Sequence, residues 1–400
     1  MQMGKASLIP VNPFDPRARP DPYPVYQYMR TVEPVHRSPL GFWVLTRYQD
    51  CVEVLEDKRW SHDAGSILEP GRKAADPIDP TVRVLRSSIA FSDPPDHARH
   101  RRRLEPAVRS RMKNLDATTG RAADGLIKLL REKDSSADLI RDYAAPLALV
   151  VVTDLLGVPP ADRPKIQRWV RELAAGLDPA AGPSNIARAS GGAVAMVEYF
   201  LNRLDAAPNG TSGIVQDLAA RRGKLTSWEL VADLTALVVI GVESASGLIG
   251  NGMLALLRHK DQMEQLRSGH AELERALEEL IRFDGPIHLT ARVAQEDVQV
   301  GKTNIAAGEQ AIVLLGAANR DPARFSDPDR LDLNRKENPH LGFGAGTHAC
   351  FAAPLARLVA GTAIKTLLSA PIEFQLMGDP VWTNTVTVRG LNSLPVTLGR

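Results

Sequence analysis

Hydrophobic positions along this chain recur mostly three and four residues apart, the spacing that gives an α-helix one apolar face. The longest such stretch opens at Thr226-Ser227-Trp228-Glu229, a capping-box pattern, and stays apolar or small to about His259. A helix of ~33 residues spans roughly 50 Å, so it must cross the core. Residues 114–204 read as several amphipathic helices with alanine-rich faces. They break near Gly157-Val158-Pro159-Pro160, near Asp178-Pro179 and at Gly182-Pro183. Residues 272–283 form a further, charged amphipathic helix, and residues 48–55 a short one. Period-two alternation is confined to brief runs. Residues 35–48 alternate and turn at Ser38-Pro39-Leu40-Gly41, which predicts a hairpin with Phe42-Trp43-Val44-Leu45 as its second strand. Residues 286–292 read as a strand entry, and residues 381–398 as a closing hairpin with its turn at Gly390-Leu391-Asn392-Ser393. The pattern predicts a mainly α-helical fold with small β-sheets.

Other stretches lack either period. Pro10, Pro13, Pro16, Pro20, Pro22 and Pro24 make residues 1–24 an extended surface segment, followed by a short helix over 25–30. Residues 61–84, rich in Gly, Pro and charge, predict a long loop, and residues 206–213 a polar linker. Long loops in compact domains are often functional.

Composition narrows the function. The chain has 400 residues, 44% of them apolar, enough for a substantial core. A formal charge of only +2 gives no global basic field, which argues against nucleic acid as a partner. The two cysteines, Cys51 and Cys350, lie far apart and supply neither a disulfide framework nor zinc-ligand spacing. With no long apolar run in the first 30 residues, the expectation is a soluble, cytoplasmic protein without a signal peptide or membrane anchor.

Candidate chemistry gathers at Phe343-Gly344-Ala345-Gly346-Thr347-His348-Ala349-Cys350. Its glycines allow a tight backbone path, and Ala352-Ala353-Pro354-Leu355 then opens a helix with proline in the first turn. Cys350 thus stands at a helix N-terminus, where free N–H groups favour thiolate, a nucleophile or metal ligand. After Asp93-Pro94-Pro95 a basic helix begins, with His97 and Arg101 four apart on one face and able to reach a single anion. Inside the long helix, Gly241-Val242-Glu243-Ser244 places a glycine, an acid and a hydroxyl where burial makes them costly.

The F-G-x-G-x-H-x-C loop resembles the haem-ligand loop of the cytochrome P450 family, the haem-thiolate monooxygenases. The resemblance spans nearly the whole chain, because four motifs follow in the family's order. It implies a single domain over 1–400 with the cytochrome P450 fold and a long central helix over one haem b. It makes Cys350 the iron ligand, places Phe343 by its sulfur, and assigns His97, Arg101, Arg292 and His348 to the haem propionates. Glu243 and Ser244, matching the family's acid and alcohol, would relay protons toward dioxygen. Glu279, Arg282 and Arg330 would form a buried charge network beneath the haem. Ile240, Gly241, Ile287, His288, Leu289, Leu391 and Asn392 would border the substrate, although a lone His288 is more often a hydrogen-bonded core or rim histidine than a catalyst. Three departures stand out: Ala352 for a glycine, Ser244 for a threonine, and Ile240 for a small residue. The implied reaction is oxidation of an apolar, natural-product-like molecule with O2. Electrons would come from NAD(P)H through a ferredoxin reductase and ferredoxin, docked by Arg99, Arg102 or Arg103. A peroxide-fed haem oxidase and a non-catalytic haem sensor are the alternatives, and the acid–alcohol pair argues against the sensor.

Overall fold

The computed structural model describes residues 12–63, 67, 79–176, 182–206, 213–220, 223, 225–385 and 387–399. The central helix, Ser227–Arg258, starts where the sequence places it. Thr226 Oγ1 accepts the Glu229 N–H at 3.2 Å, and the Glu229 carboxylate accepts the Thr226 N–H at 2.7 Å. It is long and apolar enough to cross a membrane, yet it is enclosed by helices Ala145–Leu156, Pro183–Ala206, Leu273–Asp284 and Ala353–Ser369. Its α-helical bonding continues through residues 241–246.

The basic helix runs much further than its sequence pattern suggested. It spans Asp96–Arg131 and contains Pro106. Interior proline costs about 3 kcal/mol, but Leu104 and Val108 before and after it, then Leu115, Ala123, Ile127 and Leu130, are all buried. Each large apolar side chain returns roughly 1.5–3 kcal/mol, so the continuous stripe outweighs the proline. The break falls instead after Arg131, where Ser136–Asp138 forms a strand before Ala145–Leu156. Its partner is the C-terminal strand Pro395–Gly399, and the Asp138 carboxylate accepts the N–H groups of Ile140 and Leu394 at 3.0 and 3.1 Å. Partners 256 residues apart leave no local signal.

Sheets are small, as expected. The largest has five strands in the order Val35–Arg37, Trp43–Leu45, Gln310–Val313, Thr290–Ala294, Trp60–Ser61. The expected hairpin over 35–45 forms, with Val35 opposite Leu45. The closing hairpin differs: Leu391–Ser393 is a strand paired with Val381–Trp382, and the turn lies in the preceding residues. There Thr383 N–H donates to the Gly390 carbonyl at 3.0 Å and the Thr385 hydroxyl to Val388 at 2.8 Å. The first helix is Tyr23–Val32, starting inside the segment expected to be extended, with Pro24 in its first turn where no donor is lost. Helix Pro80–Arg86 replaces the end of the expected long loop. Residues 64–66, 68–78 and 207–212, and the expected break at Asp178-Pro179, lie outside the described residues.

A buried charge cluster forms around Glu279, with one change of partner. Arg282 chelates its carboxylate at 2.7 and 2.8 Å, and the second cation is Arg335 at 3.0 Å. Arg330 contributes only its backbone carbonyl, to Arg282 at 3.3 Å. Arg335 lies beyond the turn that follows Pro328, so spacing alone could not single it out.

Candidate active site

The Cys350 loop is a closed turn. Gly344 and Gly346 take φ of +70° and +67°, conformations that residues with a side chain resist. A Cβ on Gly346 would lie 2.5 Å from the Leu55 carbonyl, so this glycine also permits the loop to press on helix Tyr48–Glu56. Cys350 N–H donates to the Phe343 carbonyl at 2.9 Å, and helix Ala353–Ser369 begins three residues later. Burial pushes the Cys350 thiol above its ordinary value, while the N–H groups of Ala352 and Ala353 and the cations Arg101 and Arg357 pull the other way. Yet Cys350 keeps exposed surface, in contrast to Cys51, which is fully buried beneath the sheet with its thiol on the Leu45 carbonyl. Behind the loop, Arg357 lies 4.5 Å over the Phe343 ring and binds Glu278 at 2.6 Å; His340 meets the same carboxylate at 3.0 Å.

Around the loop gathers a group of basic side chains with few anions. The rings of His97 and His348 lie 4.5 Å apart. Arg101 donates to the carbonyls of Thr347 and Ala349 at 3.0 Å each and to Glu105 at 2.9 Å, so it clamps the loop as well as facing the site. Arg292 is buried, and its hydrogen bonds go to Thr290 Oγ1 and the Ala291 carbonyl, not to a carboxylate. Burial brings its guanidinium down to about 10, opposed only by Asp93. Burial, Arg292, His97 and Arg101 together hold His348 at about 3. The buried Nδ1 of His97 has no partner. A buried guanidinium with no carboxylate on it is expensive, so Arg292, with the histidines beside it, would gain from an incoming carboxylate. A haem fits this chemistry: these residues would hold its propionates and Cys350 would ligate its iron.

On the central helix, Leu237, Ile240 and Ser244 retain exposure at three- and four-residue spacing, an open stripe with Gly241, Glu243 and Ser246 partly open beside it. Ile240 is 40% exposed, the most open apolar residue of that helix. Glu243 lies beside the stripe. Desolvation raises its carboxyl above the ordinary value, with Arg171 opposing. Gly241 is also partly open, and its missing Cβ faces Val152 at 3.4 Å, so a neighbouring helix packs close at this point.

Three pocket expectations are corrected. His288 is buried in a hydrogen-bonded hub, its ring against the hydroxyls of Tyr23 and Tyr26 and 3.4 Å from the Asp284 carboxylate. Leu391 is core, packed over Gly250 of the central helix, and Asn392 is exposed with its amide on the Trp382 carbonyl. The strand they form, where a turn was expected, is the reason. Ile287 and Leu289 stay partly open: Ile287 bridges to Val388, and Leu289 borders a small cleft with Phe14, Tyr26 and Trp382. Sequence reasoning passed over His62, whose ring lies 5.1 Å from that of His348.

Comparison with known proteins agrees with this geometry. Residues 196–381 match the family model described as Cytochrome P450. The chain is 35% identical over 392 residues to the cytochrome P450 monooxygenase PikC of Streptomyces venezuelae, covering 94% of this chain and 91% of that protein. It is 32% identical to the polyketide biosynthesis cytochrome P450 PksS of Bacillus subtilis, covering 95% and 96%. Among solved structures, P450BioI in complex with a hexadec-9Z-enoic acid ligated acyl carrier protein superposes with a TM-score of 0.88. That match has 30% identity and covers 96% of this chain and 99% of that one. With the thiolate loop, the cation group and the open stripe of the central helix in place, this chain belongs to the cytochrome P450 family and is a monooxygenase.

Proposed function

We propose that this monooxygenase binds haem b through Cys350 and hydroxylates or epoxidises an apolar, natural-product-like small molecule. It works in the cytoplasm on electrons passed from NAD(P)H by a ferredoxin reductase and ferredoxin. One observation carries the reading: a single loop presents an open cysteine beside a cluster of basic side chains in which the buried Arg292 bonds no carboxylate. PikC and PksS, one a monooxygenase and the other named for polyketide biosynthesis, support the substrate class. Bound haem supplies the reductive activation of dioxygen, for which a thiolate ligand favours O–O cleavage.

The chain's own residues do the rest. His97, Arg101, Arg292 and His348 would hold the propionates. Glu243, whose carboxyl desolvation raises above its ordinary value, would offer a proton beside the open stripe, and the Ser244 hydroxyl would pass it on through water. Ile240 restricts how a substrate approaches. Arg102 and Arg103 stand exposed on the helix that Arg101 ties to the loop, and offer an acidic ferredoxin a docking face. Arg99 is turned elsewhere, bound to Asp96 at 3.0 Å and to Glu229 at 2.5 Å.

The test is ligation. Cys350→Ala should abolish the strongly red-shifted ferrous–CO band that thiolate ligation produces. Persistence of that band would move the ligand off this loop.

A further inference from the structure

We propose that His62 is an additional propionate donor for the haem, supplied by this chain from outside the motifs that mark the site. The inference rests on the reading of the cation group as the propionate site. Sheet register places it there. Ser61 pairs with Val293 in the antiparallel strands Trp60–Ser61 and Thr290–Ala294, so the next position sets His62 opposite Arg292. Directly opposed residues project to the same face, within contact distance.

Surrounding contacts fix the ring. The His62 backbone N–H donates to Asp93 Oδ1 at 2.9 Å, and the Ser61 hydroxyl binds the other oxygen of the same carboxylate. Phe91 stacks on the imidazole at 5.1 Å with 23° between planes, and His348 meets it edge-on at 5.1 Å. Nε2 lies 3.3 Å from Thr290 Oγ1, the atom that also accepts from Arg292 at 3.1 Å, so His62 and Arg292 share one hydroxyl. Nδ1 is sealed from solvent and makes no well-formed hydrogen bond, although the Ala90 backbone favours a proton on the ring. The basic neighbours are Arg292, His348 and His97, and the carboxylate among them is Asp93, already engaged by Ser61, the His62 N–H and His348. The imidazole is thus held firmly beside an arginine that bonds no carboxylate. It donates to the carboxylate that enters beside Arg292.

The measurement is haem loss from the holoenzyme to excess apomyoglobin, followed by the Soret band. His62→Phe keeps the stacking on Phe91 and removes both donors; His62→Gln keeps a donor. A hydrogen bond to an ionised group predicts about ten-fold faster loss from His62→Phe and near-native retention in His62→Gln. Protein reconstituted with haem dimethyl ester, which has no propionate charge, should lose it equally fast with or without His62. Arg292→Met serves as the reference and should also accelerate loss of natural haem. If Arg292→Met is fast and His62→Phe is native-like, His62 is not a donor and this inference fails alone. If both are native-like, the propionate reading fails and takes this inference with it. A His62→Phe effect that persists with the dimethyl ester would make the ring a packing element only. Melting curves of each variant identify any loss that comes from misfolding.

Discussion

At the scale of single residues, Ile240 is the most informative departure from the family pattern. Removing most of a side chain from a filled core costs roughly 2–5 kcal/mol, whereas a residue beside open space loses less. Ile240 is 40% exposed. Ile240→Ala should therefore melt within a few degrees of the parent and yield additional oxidised products on a substrate panel. A large fall in Tm with an unchanged product profile would place this side chain in helix packing. Glu243→Gln should slow turnover while substrate binding holds, and Ser244→Ala should divert reducing equivalents to peroxide; equal coupling and rate in both would leave proton delivery to water alone. Residues of this kind were legible in the sequence because their chemistry is out of place: a thiol on a glycine turn, an acid inside an apolar helix. What could not be read was side-chain direction. Gly241 faces Val152 and His288 faces two tyrosines, and neither orientation follows from the neighbouring letters. His62 was hidden for the same reason, since its role comes from a strand pairing with residues more than two hundred positions away.

Elements were read most accurately where local signals set both ends. The capping box gave the start of the central helix, and glycine and proline gave the hairpin over 35–45. Where long-range packing decided, as at Pro106 and in the strand Leu391–Ser393, local rules failed. The helix Leu273–Asp284 illustrates how an element can hold the site without touching it. Its Glu278 grips Arg357 and His340 behind the Cys350 loop. Burial works to raise the Glu278 carboxyl, but hydrogen bonds from Arg357 and His340 outweigh it and bring it from 4.5 to about 2. The folded value is depressed, so this contribution is complete above about pH 5 and disappears as pH falls toward 2. The carboxylate keeps 30% of its exposure, so solvent screening leaves about 1–2 kcal/mol of the full shift. Glu278→Gln should lower Tm at neutral pH and flatten the acid limb of the Tm–pH curve; parallel curves for the two proteins would remove Glu278 from acid sensitivity. A second tie, His100 to Asp233 at 2.6 Å with the Ile89 N–H on the same carboxylate, joins the basic helix to the central one.

For the whole molecule, net charge says little and its placement says more. If Arg102 and Arg103 receive an acidic ferredoxin, reduction should slow as salt is added, because the Debye length is ~8 Å at physiological ionic strength. Arg102→Glu should raise the apparent KM for ferredoxin several-fold and leave substrate affinity alone; rates indifferent to both salt and reversal would put docking on another face. The global fold also carries a clasp. Arg389 reaches the carbonyls of Arg19 and Pro20 and the carboxylate of Asp284, the acid to which Tyr23 also donates. The two ends of this clasp lie 370 residues apart. At about 5–20 residues per second, a ribosome needs roughly 20–70 s to deliver the second after the first. Through that interval the residues around Arg19 have emerged but lack their partner, so a protease acting on nascent chains would find this corner open until Arg389 has been made.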